Sequence, residues 1–84
     1  MYYILFTTTT CIKCPTFKKF VAENIDFAGD VLDEKSEKFM EYASRFGVMS
    51  APTFIVFANE SLDTEIFRTS EEFELNDFLK QKNS

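Results

Sequence analysis

Residues 2–14 read Tyr2-Tyr3-Ile4-Leu5-Phe6-Thr7-Thr8-Thr9-Thr10-Cys11-Ile12-Lys13-Cys14. The aromatic and β-branched run from Tyr2 to Thr7 shows no polar alternation, so it predicts a strand buried on both faces. Four threonines, Thr7 to Thr10, lead off that strand, and a helix is expected from about Cys11 to Asn24. Cys14, Phe17, Phe20 and Val21 keep helical spacing there, with Lys18, Lys19 and Glu23 pointing away. Pro15 suits the first turn, where a missing backbone N–H costs least. The two cysteines thus stand where a buried strand hands over to a helix. Free N–H groups and the positive end of the helix dipole favour a thiolate at such a junction, and Lys13 adds a positive charge. Cys11 is expected at the exposed tip as the attacking thiol. Cys14, one turn further in, is the expected resolving thiol.

Downstream of this junction, a weaker strand falls around Asp30–Leu32. Asp33 or Ser36 is the expected cap of a second helix that ends near Phe46, with Phe39, Tyr42/Ala43 and Phe46 as its buried stripe. Gly47 suits the left-handed position beyond it. Thr53–Ala58 is again continuously apolar and predicts a central strand. Asn59–Asp63 predicts a turn, and Thr64–Arg68 alternates as an edge strand does. Thr69 has capping-box spacing to Glu72 and is the expected N-cap of a last helix. That helix, about Glu71 to Gln81, is expected to bury Phe73, Leu75, Phe78 and Leu79. The order β-α-β-α-β-β-α predicts a single α/β domain over residues 1–84. Its first two strands should be parallel and its last two antiparallel, in a four-stranded mixed sheet with helices on both faces.

The chain has 84 residues, 45% of them hydrophobic and eleven of them Phe, which suits one efficient core. A net charge of −5 with scattered Lys and Arg argues against a nucleic-acid partner. The absence of His excludes His-based triads, His metal sites and His pH switches. No apolar run approaches the roughly 20 residues that span a bilayer. Met1–Phe6 also lacks the basic start of a signal peptide. No membrane partner and a cytoplasmic location are therefore expected. A bond between Cys11 and Cys14 would close a very small loop and restrain an unfolded chain little. Chemistry explains the pair better than stapling does. A structural zinc needs four ligands, and no other Cys or His is present. Neither metal nor cofactor is expected, and the rival use of the same cysteines is a metal or cluster held between two chains.

Over essentially its whole length the chain resembles the thioredoxin/glutaredoxin superfamily. The residues that carry the resemblance are Cys11-Ile12-Lys13-Cys14 after the first strand and Ala51-Pro52-Thr53 opening the third, with Phe46-Gly47-Val48 ahead of it. It implies a thioredoxin-like fold and a protein dithiol–disulfide oxidoreductase with Cys11 and Cys14 as catalytic residues. It also implies a cis Pro52 beside the dithiol and an Ala51 backbone that contacts an extended substrate segment. Ile12 and Lys13 complete the implied substrate-binding set. The size resembles glutaredoxin, whereas the Pro52–Phe57 strand and the Asn59-Glu60 turn look like thioredoxin. Leu5 stands where many thioredoxins carry a buried acid. Arg68-Thr69-Ser70-Glu71 stands where glutaredoxins hold glutathione with Gly-Gly-x-Asp. The expected reductant is therefore a thioredoxin reductase-like flavoprotein, with a glutathione-dependent glutaredoxin as the alternative. The implied partners are disulfide-containing proteins, with ribonucleotide reductase among them on grounds of size, and the chain is expected to act as a monomer.

Overall fold

A strand that is apolar along its whole length needs paired neighbours on both edges and cover on both faces. The computed structural model, which describes residues 1–82 and so leaves Asn83 and Ser84 of the expected domain outside the described residues, meets both needs. The elements are β1 (Tyr2–Phe6), α1 (Cys14–Asn24), β2 (Gly29–Leu32), α2 (Glu37–Phe46), β3 (Thr53–Phe57), β4 (Glu65–Thr69) and α3 (Glu72–Lys82). They form one mixed sheet of order β2-β1-β3-β4. β1 pairs with β2 in parallel and with β3 antiparallel, and β3 pairs antiparallel with β4. The expected α/β architecture is thus present, with the two most apolar strands in the centre.

The pleat of those strands feeds two cores. Leu5, Phe54 and Val56 point to one face, where Phe17 and Val21 of α1 and Leu75 and Leu79 of α3 close over them. Ile4, Phe6, Ile55 and Phe57 point to the other, joined by Leu32 and Leu62 and covered by α2. Aromatic pairs knit the layers: Tyr3 stacks on Phe54 at 5.2 Å, Phe46 lies 4.9 Å from Phe57, and Phe67 stacks on Phe78 at 4.3 Å. Such pairs contribute about 0.5–1.5 kcal/mol each beyond their burial. Gly29 is opposite Tyr3 in the parallel register, and the Tyr3 ring occupies the space a Cβ would need there. Gly47 ends α2 in the left-handed region at φ 66°, as expected.

Several details differ from the sequence expectation, among them a half-buried Phe78 and a last strand shifted by one residue to Glu65–Thr69. α1 starts at Cys14, not Cys11, because Pro15 has no N–H to donate to the Cys11 carbonyl and its ring would crowd that group. The first bond of that helix runs instead from Phe17 N–H to the Lys13 carbonyl, 3.0 Å. Thr69 is the last residue of β4 rather than a helix N-cap. Its hydroxyl accepts from Glu71 N–H at 3.0 Å and donates to the Glu74 carboxylate, bracing the turn into α3. The stripe Phe39, Tyr42, Ala43 and Phe46 is half-buried, since α2 alone covers its face while two helices share the other. Phe73 is 65% exposed, on the far side of α3 from Leu75.

The β1–β2 edge carries one more long-range link. The Tyr2 hydroxyl donates to Asp30 Oδ2 at 2.6 Å. That bond, together with burial and the nearby carboxylate charge, pushes the Tyr2 hydroxyl up from 10.0 to about 12. A raised folded value means the contribution is complete below the unfolded value and disappears as pH rises through the folded one. Tyr2→Phe is therefore expected to cost about 1 kcal/mol at neutral pH. Urea unfolding of both proteins should converge between pH 10.0 and about 12. A difference unchanged across that window contradicts the link.

Candidate functional site

The antiparallel register sets Phe6, the last residue of β1, opposite Thr53, the first of β3. The segment that leaves β1 and the segment that enters β3 therefore emerge at the same end of the sheet. The first carries Cys11 and Cys14; the second carries Ala51 and Pro52. The Ala51–Pro52 peptide is cis. Pro52 is buried and Ala51 half-buried. Pro52 precedes the ladder, where its missing donor leaves no strand bond unmade.

Cys11 and Cys14 form a disulfide with their Cα atoms 5.4 Å apart, inside the usual range for such a bond. The two sulfurs are not equivalent. Cys14 opens α1 and is 2% exposed, whereas Cys11 sits outside the helix and is only half-buried. The expected asymmetry between tip and helix is thus present. Leu5, on β1, is fully buried in the core. The buried polar residues among those described are Thr7, Thr53 and Thr69, none of which ionises.

Hydroxyls and carboxylates fix the flanking loops. Thr7 donates both its N–H and its hydroxyl to the Leu32 carbonyl, at 2.8 and 2.9 Å. Thr9 N–H reaches both oxygens of Glu34 at 3.0 Å, and Cys11 N–H closes the turn on the Thr8 carbonyl at 3.3 Å. On the opposing segment, the Thr53 hydroxyl donates to the Ser50 carbonyl at 2.7 Å. Glu34 carries no local signal in the sequence, because its partner lies 25 residues away.

Two shallow grooves flank the dithiol. One is lined by Cys11, Ala51, Met40 and Met49, with Thr8, Thr10 and residues of α2. The other is lined by Ile12, Lys13, Phe17, Glu71, Glu72 and Phe73. The structure therefore splits the residues that the resemblance had grouped as substrate-binding. Ala51 lies with Cys11 on one side, while Ile12 and Lys13 lie on the other. Lys13 Nζ is 3.6 Å from a Glu71 carboxylate oxygen, and both groups are solvent-exposed, so this pair contributes little to stability. It does offset part of the positive charge that Lys13 brings to the motif. Sequence reasoning missed Met40, Met49 and Phe73 as groove residues. Met40 lies one position off the inner stripe of α2, and Met49 lies in the loop before Ser50, so neither has a periodic signal. No group of three or more His, Cys, Asp or Glu side chains placed to hold a metal occurs among the described residues. No described helix is long and apolar enough to cross a membrane.

A mixed four-stranded sheet, a Cys-x-x-Cys at the strand-to-helix junction and a cis proline opposite it define a thioredoxin-like domain. Comparison with solved structures agrees. The chain is similar to thioredoxin 1 of Thermosipho africanus, with 21% identity over 99% of this chain and 91% of that one at a TM-score of 0.68. It is similar to a thioredoxin of Thermus thermophilus, with 20% identity over 96% and 72% at 0.69. It is also similar to oxidised thioredoxin O2 of Arabidopsis thaliana, with 14% identity over 95% and 72% at 0.74. No family model and no curated protein matches the sequence. The fold is thioredoxin-like.

The Glu34 clasp titrates. Hydrogen bonds from Thr9, from its side chain first and its backbone second, hold the Glu34 carboxyl below the usual carboxylate range. A depressed folded value keeps the clasp closed above the ordinary glutamate range and opens it as pH falls through the folded value. In an NMR titration the Thr9 amide resonance is expected to shift with an acid midpoint below that of a free glutamate. Glu34→Gln should abolish the step. A Thr9 amide indifferent to acid contradicts the clasp.

Proposed function

We propose that the protein is a protein dithiol–disulfide oxidoreductase that cycles Cys11 and Cys14 between dithiol and disulfide. The observation that carries this reading is a bonded, unequally exposed cysteine pair at the centre of the molecule's apolar surface. Among the described residues, seven large apolar side chains are exposed, and Ile12, Met40, Met49 and Phe73 of that group all line the two grooves beside the dithiol. Apolar exposure concentrated in this way marks a docking surface for another protein. The thioredoxins of similar structure support the same reading.

In the reductive direction the Cys11 thiolate attacks one sulfur of a substrate disulfide. A Cys11–substrate S–S bond forms, the substrate S–S bond breaks, and the leaving sulfur takes a proton from water. The Cys14 thiol then gives its proton to solvent and attacks the Cys11 sulfur. The Cys11–Cys14 bond forms, the mixed disulfide breaks, and the second substrate thiol leaves. The substrate gains two electrons and two protons, and the protein loses them. Only Cys11 is placed to begin the sequence, because Cys14 is covered. Ala51 lies in the same groove as Cys11 and offers backbone groups to the incoming chain. Thiol-keeping conditions such as those of the cytoplasm suit the cycle. A thioredoxin reductase-like flavoprotein is the proposed electron donor, since the Lys13–Glu71 pair and Glu72 leave little free positive charge to hold the anionic glutathione.

Insulin disulfide reduction is expected to disappear in Cys11→Ser. Cys14→Ser should instead accumulate a mixed disulfide with substrate, visible by mass spectrometry. A metal-loaded purified protein with no insulin reduction contradicts the proposal and favours the metal or cluster module. For the donor, NADPH-coupled reduction by a thioredoxin reductase should exceed that by glutathione with glutathione reductase at matched concentrations. The reverse order identifies a glutaredoxin.

A further inference from the structure

The groove on the Ile12 side takes no part in the exchange steps above. Ile12 is 93% exposed and Phe73 stands out from the first turn of α3, and neither contributes to the core clusters. Large apolar groups left in water beside a reactive sulfur serve as anchors for an apolar side chain of a partner. The polar rim sets the sign of what accompanies that side chain. Lys13 is offset by Glu71 at 3.6 Å. The Glu72 carboxylate, at the start of α3, has no hydrogen-bond or ion-pair partner among the described residues, and Glu72 lines this groove. It also borders a smaller hollow with Lys19 and Glu23, whose opposite charges lie one turn apart on α1. Lys13 and Lys19 against Glu23, Glu71 and Glu72 leave the rim with a net charge of −1 around an apolar floor, on a chain whose charge is −5.

We propose that this groove seats a segment of the partner protein in which a basic residue and an apolar residue flank the cysteine being exchanged. The apolar side chain packs against Ile12 and Phe73, and the basic group faces Glu72. Ile12 directly follows Cys11, so the flanking residues of a bound disulfide reach the groove while its sulfur reaches Cys11. The proposal rests on the oxidoreductase reading and adds a preference among partners, which the opposite groove, lined by flexible Met40 and Met49, does not impose.

The test follows by stopped flow the attack of the fully reduced protein on two synthetic peptide disulfides. They differ only in whether lysine or glutamate accompanies leucine beside the cysteine. The lysine peptide should react faster by about fivefold at low salt, a margin that shrinks as salt screens the rim. Glu72→Lys should erase or invert the ratio, and the milder Glu72→Gln should reduce it. Glu60→Lys, the same charge change in the turn between β3 and β4, should leave it intact. Phe73→Ala should slow the leucine-bearing lysine peptide by about threefold and spare its glycine counterpart. Equal rates for the two peptides, or an equal loss of preference from Glu60→Lys, overturn the groove assignment while leaving the exchange chemistry standing. Failure of the reduced protein to attack either peptide overturns the oxidoreductase reading itself, and the groove assignment with it.

Discussion

The antiparallel pairing of β1 with β3 places Phe6 against Thr53, and the site depends on that register. Both strands are buried on both faces, so a slip of one residue would turn each apolar set toward the wrong core. The dithiol leaves the sheet at the end of β1, and the Ala51–Pro52 segment enters it at the start of β3. Their proximity is thus a consequence of core packing. Substituting a central residue such as Phe54, which packs against both Tyr3 and Phe17, would disturb the site through the sheet rather than through any contact with sulfur.

Around this rigid frame the connecting loops are held by a few polar contacts. Thr7 ties the end of β1 to β2, Glu34 holds Thr9, and Thr53 closes on Ser50. Each contact restrains one side of the dithiol. The helix that follows begins late because of Pro15, which leaves Cys11 outside the helix and Cys14 within it. One proline therefore sets the difference in exposure between the two sulfurs. Helix geometry alone would have given Cys11 its own place in the first turn.

Most of the fold was legible because the two central strands are uninterrupted apolar runs and the turns between elements carry Gly47 and the Asn59–Asp63 cluster. The cysteine pair was legible because it stands where a buried strand hands over to a helix, whereas the cis Ala51–Pro52 bond was legible only through the family resemblance. What escaped the sequence was long in range or off the period. The Glu34–Thr9 and Lys13–Glu71 contacts join residues far apart in the chain and leave no local trace. Phe73 is apolar and so reads as core, yet at about 100° per residue it lies roughly 200° from Leu75 around α3. That angle turns Phe73 out of the core and into the groove with Ile12 and Lys13. Thr69 had the right spacing for a cap, but the strand ladder to Phe54 holds it in β4.

The late start of α1 makes two chemically identical side chains unequal, leaving Cys11 half-buried outside the helix and Cys14 covered within it. The most direct measurement is the rate at which iodoacetamide modifies each thiol in the reduced protein at neutral pH, resolved by peptide mass spectrometry. The account predicts that Cys11 is alkylated well before Cys14. Equal rates, or earlier modification of Cys14, would contradict it.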